Sequence, residues 1–119
     1  MKGGENIAPA SVPVDVNVLK ALVGDDKTII AEFLHDFRIS AAKIATELRV
    51  ACAAGQATEA GAQAHKLKSS ARSVGAMQLG ELCAEMEQAG KDGDMKTLKM
   101  RLPGFEQELN SVDHFLDGY

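Results

Sequence analysis

The sequence predicts an all-α fold, an antiparallel up-and-down four-helix bundle with a short extra helix at its N-terminus. Three observations carry this. Apolar residues recur at intervals of three and four through most of the chain, which places them on one face of a helix. Glycines and aspartates punctuate that rhythm where helices should stop and start. Runs of β-branched residues with period-two alternation are missing, as are hairpin turns, so no strand competes.

Taken in order, residues 1–13 hold two glycines and two prolines with little periodic apolar content. They read as a flexible lead or linker that joins residues 14–119, the folded domain, to something upstream. Val18, Leu19, Leu22 and Val23 then make a short amphipathic helix that Gly24 can end. A long helix follows, capped by Asp25 or Asp26 and running to Gly55, with Ile30, Phe33, Leu34, Phe37, Ala41, Ile44, Leu48 and Ala51 on its inner face. Phe33 and Phe37 share the period of Ile30 and Ile44, so both read as core rather than as a docking patch.

A third helix over 56–73 carries Ala57, Ala60, Ala64, Leu67 and Ala71, with Val74 continuing the rhythm and Gly75 as its stop. Its small inner side chains let neighbouring helices come close. The fourth, over 76–89, buries Leu79, Leu82, Cys83 and Met86, and Gly90 with the Lys91-Asp92-Gly93 turn should end it. The last starts near Asp94 and carries Leu98, Leu102, Phe105, Leu109, Val112 and Leu116. Pro103 lies inside that pattern, and a residue without a backbone N–H should kink the helix or restart it. Short connections between long helices make neighbours antiparallel.

Composition narrows the function classes. At 119 residues there is room for one core, and 45% hydrophobic with 25% charged residues is the balance of a soluble globular domain. Aromatic residues are only 4%, so the core is aliphatic. A net charge of −4 argues against a nucleic-acid partner. No signal peptide or run of eighteen apolar residues is present, so a cytoplasmic protein without direct membrane contact is expected. Cys52 and Cys83 are isolated and sit in apolar patterns, which suits two buried thiols in a reducing compartment.

The acidic balance is uneven. Between Glu59 and Glu81 there is no acidic residue, whereas Lys66, Lys68 and Arg72 fall in that interval. At 100° per residue, His65 stands about a third of a turn from the centre of the third helix's apolar stripe, between Ala64 and Leu67. Its imidazole should therefore sit on the flank, within reach of solvent. Gly61, Lys68, Ser69 and Arg72 lie three, four or seven residues away and share that side. A neutral imidazole is a nucleophile near neutral pH, and Lys68 and Arg72 can offset negative charge arriving on it. Gly61, Ala62 and Ser69 leave a shallow shelf on which another protein's active site can close; Gly61 can equally serve contact with a neighbouring helix.

The segment Ala64-His65-Lys66-Leu67-Lys68-Ser69-Ser70-Ala71-Arg72-Ser73-Val74-Gly75-Ala76, followed by Leu79, Cys83 and Glu87, resembles the signature of histidine phosphotransfer (HPt) domains of bacterial multistep phosphorelays. That pattern runs A-H-x-L-K-G-[SA]-[SA]-x-x-[LIV]-G-A. The likeness extends to the Leu-Val-Gly-Asp-Asp stretch ahead of the second helix, the Phe33 and Phe37 spacing and Leu102-Pro103, and covers roughly residues 15 to 116. It implies a phosphorelay intermediate in which His65, through its outward nitrogen, accepts a phosphoryl group from a receiver-domain aspartate and passes it to another receiver. Lys68 would orient and balance the phosphoryl group, and Gly75 would let the third helix end and the fourth begin. Ser69 stands where the family usually has Gly; its hydroxymethyl group either narrows access or hydrogen-bonds the ring or phosphoryl oxygen.

The same resemblance implies a carrier without ATP-dependent kinase activity of its own, and no G-x-x-x-x-G-K-[ST] loop is present. It implies no resident cofactor, with Mg²⁺ supplied by the partner receiver. The partners would be response-regulator receiver domains and a hybrid sensor histidine kinase in cis or trans, which can be membrane-anchored; the protein itself would be a monomer. Two other readings compete. A metal centre would need His35, His65, His114, Cys52 and Cys83 to converge, yet no H-x-x-x-H or C-x-x-C pair exists. A helical interaction module that docks receiver domains without phosphotransfer would share the architecture, but His65 and Lys68 are both intact.

Overall fold

The computed structural model describes residues 12–119, so the lead expected over 1–13 lies outside the described residues except for Val12 and Pro13. Every regular element among them is a helix: α1 Val16–Val23, α2 Lys27–Ala53, α3 Ala57–Ser73, α4 Met77–Lys91 and α5 Met95–Leu116. Sequence neighbours pack on one another from α2 to α5, and α5 returns against α2, closing the expected four-helix bundle, while α1 lies across α2 and α3. Exposed ion pairs from Arg38 to Asp113 and Asp117, and from Arg49 to Glu106, tie α2 to α5. Such pairs add about 0–1 kcal/mol each.

Local chemistry explains the helix starts. The Asp26 carboxylate, rather than that of Asp25, accepts the backbone N–H of Thr28 at 2.9 Å and of Ile29 at 3.2 Å. Asp15 caps α1 through Asn17, and Asp94 caps α5 through Thr97. Each cap satisfies a donor the helix cannot and is worth about 1 kcal/mol.

The core is mainly aliphatic, as expected, with Leu19, Leu48, Leu67, Leu79 and Leu98 sealed from solvent beside the ring of Phe105. Five details differ from the sequence reading. On α1 the buried residues are Val16 and Leu19, while Leu22, expected on the apolar face, is 65% exposed. Phe33 is not core: it is 48% exposed. It stands about 60° off the axis of the α2 stripe, near an end where the 27-residue α2 outruns the 17 residues of α3 and 15 of α4, so little is left to cover it. Leu82 and Leu102 are only half-buried at the rim. Pro103 does not restart α5, which continues unbroken because Leu98 before it and Phe105, Leu109 and Val112 after it bury against the same core. Finally, α4 does not stop at Ala89; it runs through Gly90 to Lys91.

Gly90 is therefore not a terminator. Its Hα side meets α3 so closely that a Cβ there would stand 2.5 Å from Gly61 Cα and 2.7 Å from the Ala57 carbonyl oxygen. The turn is made by Gly93, at φ +67. This backbone contact draws α3 and α4 together and sets the distance across which their side chains meet.

Candidate functional site

Helix α3 presents Ala60, Ala64, Leu67 and Ala71 to the core, all fully buried, which leaves His65 on the flank with its side chain 62% exposed. Across the narrow gap, α4 buries Leu79, Cys83, Met86 and Gly90, and one charged residue, Glu87, shares that face at 7% exposure. Its carboxylate explains its presence there. Oε2 takes the Nδ1 proton of His65 at 2.8 Å, and Oε1 faces the Lys68 ammonium at 2.5 Å. Lys68 is the partner of Oε1, a buried oxygen that no other side chain among the described residues hydrogen-bonds. Lys91, four residues on from Glu87, stands 3.4 Å from Oε2.

The electrostatics follow. The Lys68 ammonium, and after it the His65 ring, hold the Glu87 carboxyl at about 2, well below the usual carboxylate range and against the opposing effect of burial. Glu87 is thus an anion at any physiological pH, and an anion beside Nδ1 requires the proton there. In the neutral ring the tautomer is thereby set, with the free electron pair on Nε2. Among the described residues nothing hydrogen-bonds Nε2, and the ring borders a surface depression of about 480 Å³ between α3 and α4, walled by Thr58, Gly61, Lys66, Gly90 and Lys91 among others.

The other residues singled out from sequence fall as follows. Lys68 is 24% exposed and belongs to the cluster. Gly61 lines the depression and also receives the Gly90 backbone, where a Cβ would meet Gly90 Cα at 2.9 Å, so helix packing alone demands its smallness. Ser69 is exposed; its carbonyl accepts the Ser73 hydroxyl at 3.0 Å, and among the described residues no bond joins its own hydroxyl to the ring. Arg72 lies apart from the ring: its stem covers Gly80 and its guanidinium meets Glu81 at 3.3 Å. Gly75, at φ +86, ends α3 at a point remote from His65, and its carbonyl receives the Asp15 N–H at 2.9 Å.

Burial pushes the Cys83 thiol up to about 12 and raises that of Cys52 as well, so both are unreactive core residues in the folded state. His35 and His114 are exposed on other helices, and among the described residues no group of three His, Cys, Asp or Glu side chains converges. No helix of the described residues is long and apolar enough to cross a membrane. The site residue that sequence reading left without a role is Glu87. A signal existed: a carboxylate one turn beyond Cys83, on an otherwise apolar face, needs a partner on the facing helix.

Comparison with known proteins agrees with this picture. Residues 32–115 match the family model of the Hpt domain. The solved structure of histidine-containing phosphotransfer protein B (HptB) from Pseudomonas aeruginosa PAO1 shares the fold with a TM-score of 0.83, over 91% of this chain and 94% of that chain, at 22% identity. No curated protein matches the chain.

Proposed function

The chain belongs to the Hpt domain family and is a phosphorelay intermediate, and we propose that His65 is the side chain that takes a phosphoryl group from one receiver-domain aspartate and passes it to another receiver. The observation that carries this is the Nδ1 to Glu87 hydrogen bond on a side chain that is 62% exposed: in the neutral ring it puts the free electron pair on Nε2, which has no hydrogen-bond partner among the described residues. In the step itself, the Nε2 electron pair attacks the phosphorus of the aspartyl phosphate. The N–P bond forms as the P–O bond to the aspartate breaks, and that bond's electron pair leaves on the carboxylate. The ring keeps its Nδ1 proton and so becomes cationic, with its charge facing the Glu87 carboxylate. This is the part an anion plays beside a histidine that gains charge during reaction.

On this reading the chain supplies a positioned nucleophile, while the receiver supplies Mg²⁺, carboxylates and most of the transition-state stabilisation. It is a carrier, without ATP-dependent kinase activity or a cofactor of its own. A hybrid sensor kinase, in cis or trans, would hold one of the receivers. The test is to incubate the protein with a phosphorylated receiver and follow transfer of label. The expected product is acid-labile and base-stable and is absent in His65→Gln. Label of that kind that survives the substitution would overturn the assignment.

A further inference from the structure

Around Glu87 one carboxylate faces two ammonium groups and an imidazole, so the cluster holds a surplus positive charge. The two lysines are not equivalent. Lys68 is mostly covered and sits 2.5 Å from Oε1, a buried oxygen with no other partner among the described residues. Withdrawing it would leave a buried carboxylate oxygen with nothing to offset its charge. Lys91 is 67% exposed, lies at the longer 3.4 Å, and shares Oε2 with the His65 proton, which already satisfies that oxygen. Its release costs the cluster little. Lys91 also walls the depression that His65 borders, beside the backbone contact of Gly61 and Gly90, so its ammonium has an open path toward the ring.

We propose that Lys91 is the phosphoryl-binding cation of this protein, swinging from Glu87 onto the group carried by Nε2, while Lys68 stays with Glu87 as a positioning residue. The inference rests on His65 being the phosphoacceptor, and divides the work between the two lysines. The incoming dianion finds in Lys91 a mobile charge that needs no buried partner. The retained Lys68–Glu87 pair keeps Nδ1 protonated and the ring fixed before and after transfer.

The experiment uses the full chain and a phosphorylated receiver, with Lys91→Ala, Lys91→Arg and, as a control for general surface charge, Lys43→Ala on α2. Wild-type protein that takes no label on His65 would sink the phosphoacceptor assignment itself, and the lysine question with it. With wild type labelled, Lys91→Ala should transfer at least about tenfold more slowly, Lys91→Arg should recover most of the rate, and Lys43→Ala should stay within about twofold. A second readout is the ³¹P resonance of the phosphorylated chain titrated with pH. Loss of a neighbouring cation makes the phosphoryl group harder to deprotonate, so its midpoint should rise in Lys91→Ala relative to wild type. Wild-type transfer together with an unmoved midpoint in Lys91→Ala would overturn the proposal, as would an equal loss of rate in Lys43→Ala. Unchanged circular dichroism and thermal midpoint in Lys91→Ala establish that the fold is intact.

Discussion

Gly61 on α3 and Gly90 on α4 touch backbone to backbone, and a Cβ on either would stand within 3.0 Å of the other's Cα. Glu87 lies one turn before Gly90, and His65 one turn after Gly61. The contact therefore places a carboxylate of one helix under the imidazole of the other. Packing between two residues without side chains sets the geometry of the two that carry the chemistry.

Gly90→Ala tests that link. Helix propensity alone would favour alanine by about 1 kcal/mol. The new methyl group, however, meets the Gly61 Cα and the Ala57 carbonyl oxygen, both backbone and unable to turn aside. The clash should win, costing about 1–3 kcal/mol in urea denaturation. Transfer to His65 should fall as well, because Glu87 moves with the displaced helix.

Removing the carboxylate should cost both stability and rate. Glu87→Ala leaves the mostly covered Lys68 without its partner and Nδ1 without its acceptor, for an expected loss of about 2–4 kcal/mol. Glu87→Gln keeps an acceptor for Nδ1, so its ring order should be nearer wild type. The ¹⁵N shifts of the His65 imidazole would report the tautomer directly: protonated at Nδ1 in wild type and Glu87→Gln, mixed in Glu87→Ala.

The same carboxyl predicts a pH dependence. Its folded-state value of about 2 lies below the ordinary 4.5. The stabilisation is therefore fully present above about 4.5, where the unfolded chain is already ionised, and is lost as pH falls toward 2. On the order of 1–3 kcal/mol is at stake. Denaturation midpoints of wild type and Glu87→Gln should lie well apart at pH 6 and converge as the pH approaches 2. A gap independent of pH over that window would contradict the assignment.

Two phenylalanines four residues apart should respond very differently. Phe37 is 5% exposed, and Phe37→Ala should cost about 3–5 kcal/mol. Phe33 is 48% exposed, and Phe33→Ala should cost less than about 1 kcal/mol. Chemical denaturation of the two variants side by side settles the point.

The thiols offer a simpler check. Cys52 and Cys83 are 2% and 0% exposed with raised values, so a thiol reagent should label neither in the native protein and both in denaturant.

The amino-acid pattern by itself determined the helix count, the inner faces of α2, α3 and α5, and the place of His65 on the flank of α3. These follow from a 3.6-residue period, and a period is local information. Helix ends were legible where a side chain caps them, as at Asp94 and, to within one residue, at Asp26, for which the pattern left Asp25 equally open. The pattern did not show that Gly90 is a contact rather than a stop, or that Phe33 lies beyond its neighbours' reach. Those depend on how long the adjacent helices are and how near they lie. Nor did it show that Arg72 turns to Glu81 while Lys68 turns to Glu87, because a long side chain chooses its partner across a gap the sequence does not measure. Only the tertiary structure joined His65 to Glu87, which lies 22 residues further along the chain. One closely packed pair of helices turns two unremarkable positions into an imidazole with a defined tautomer.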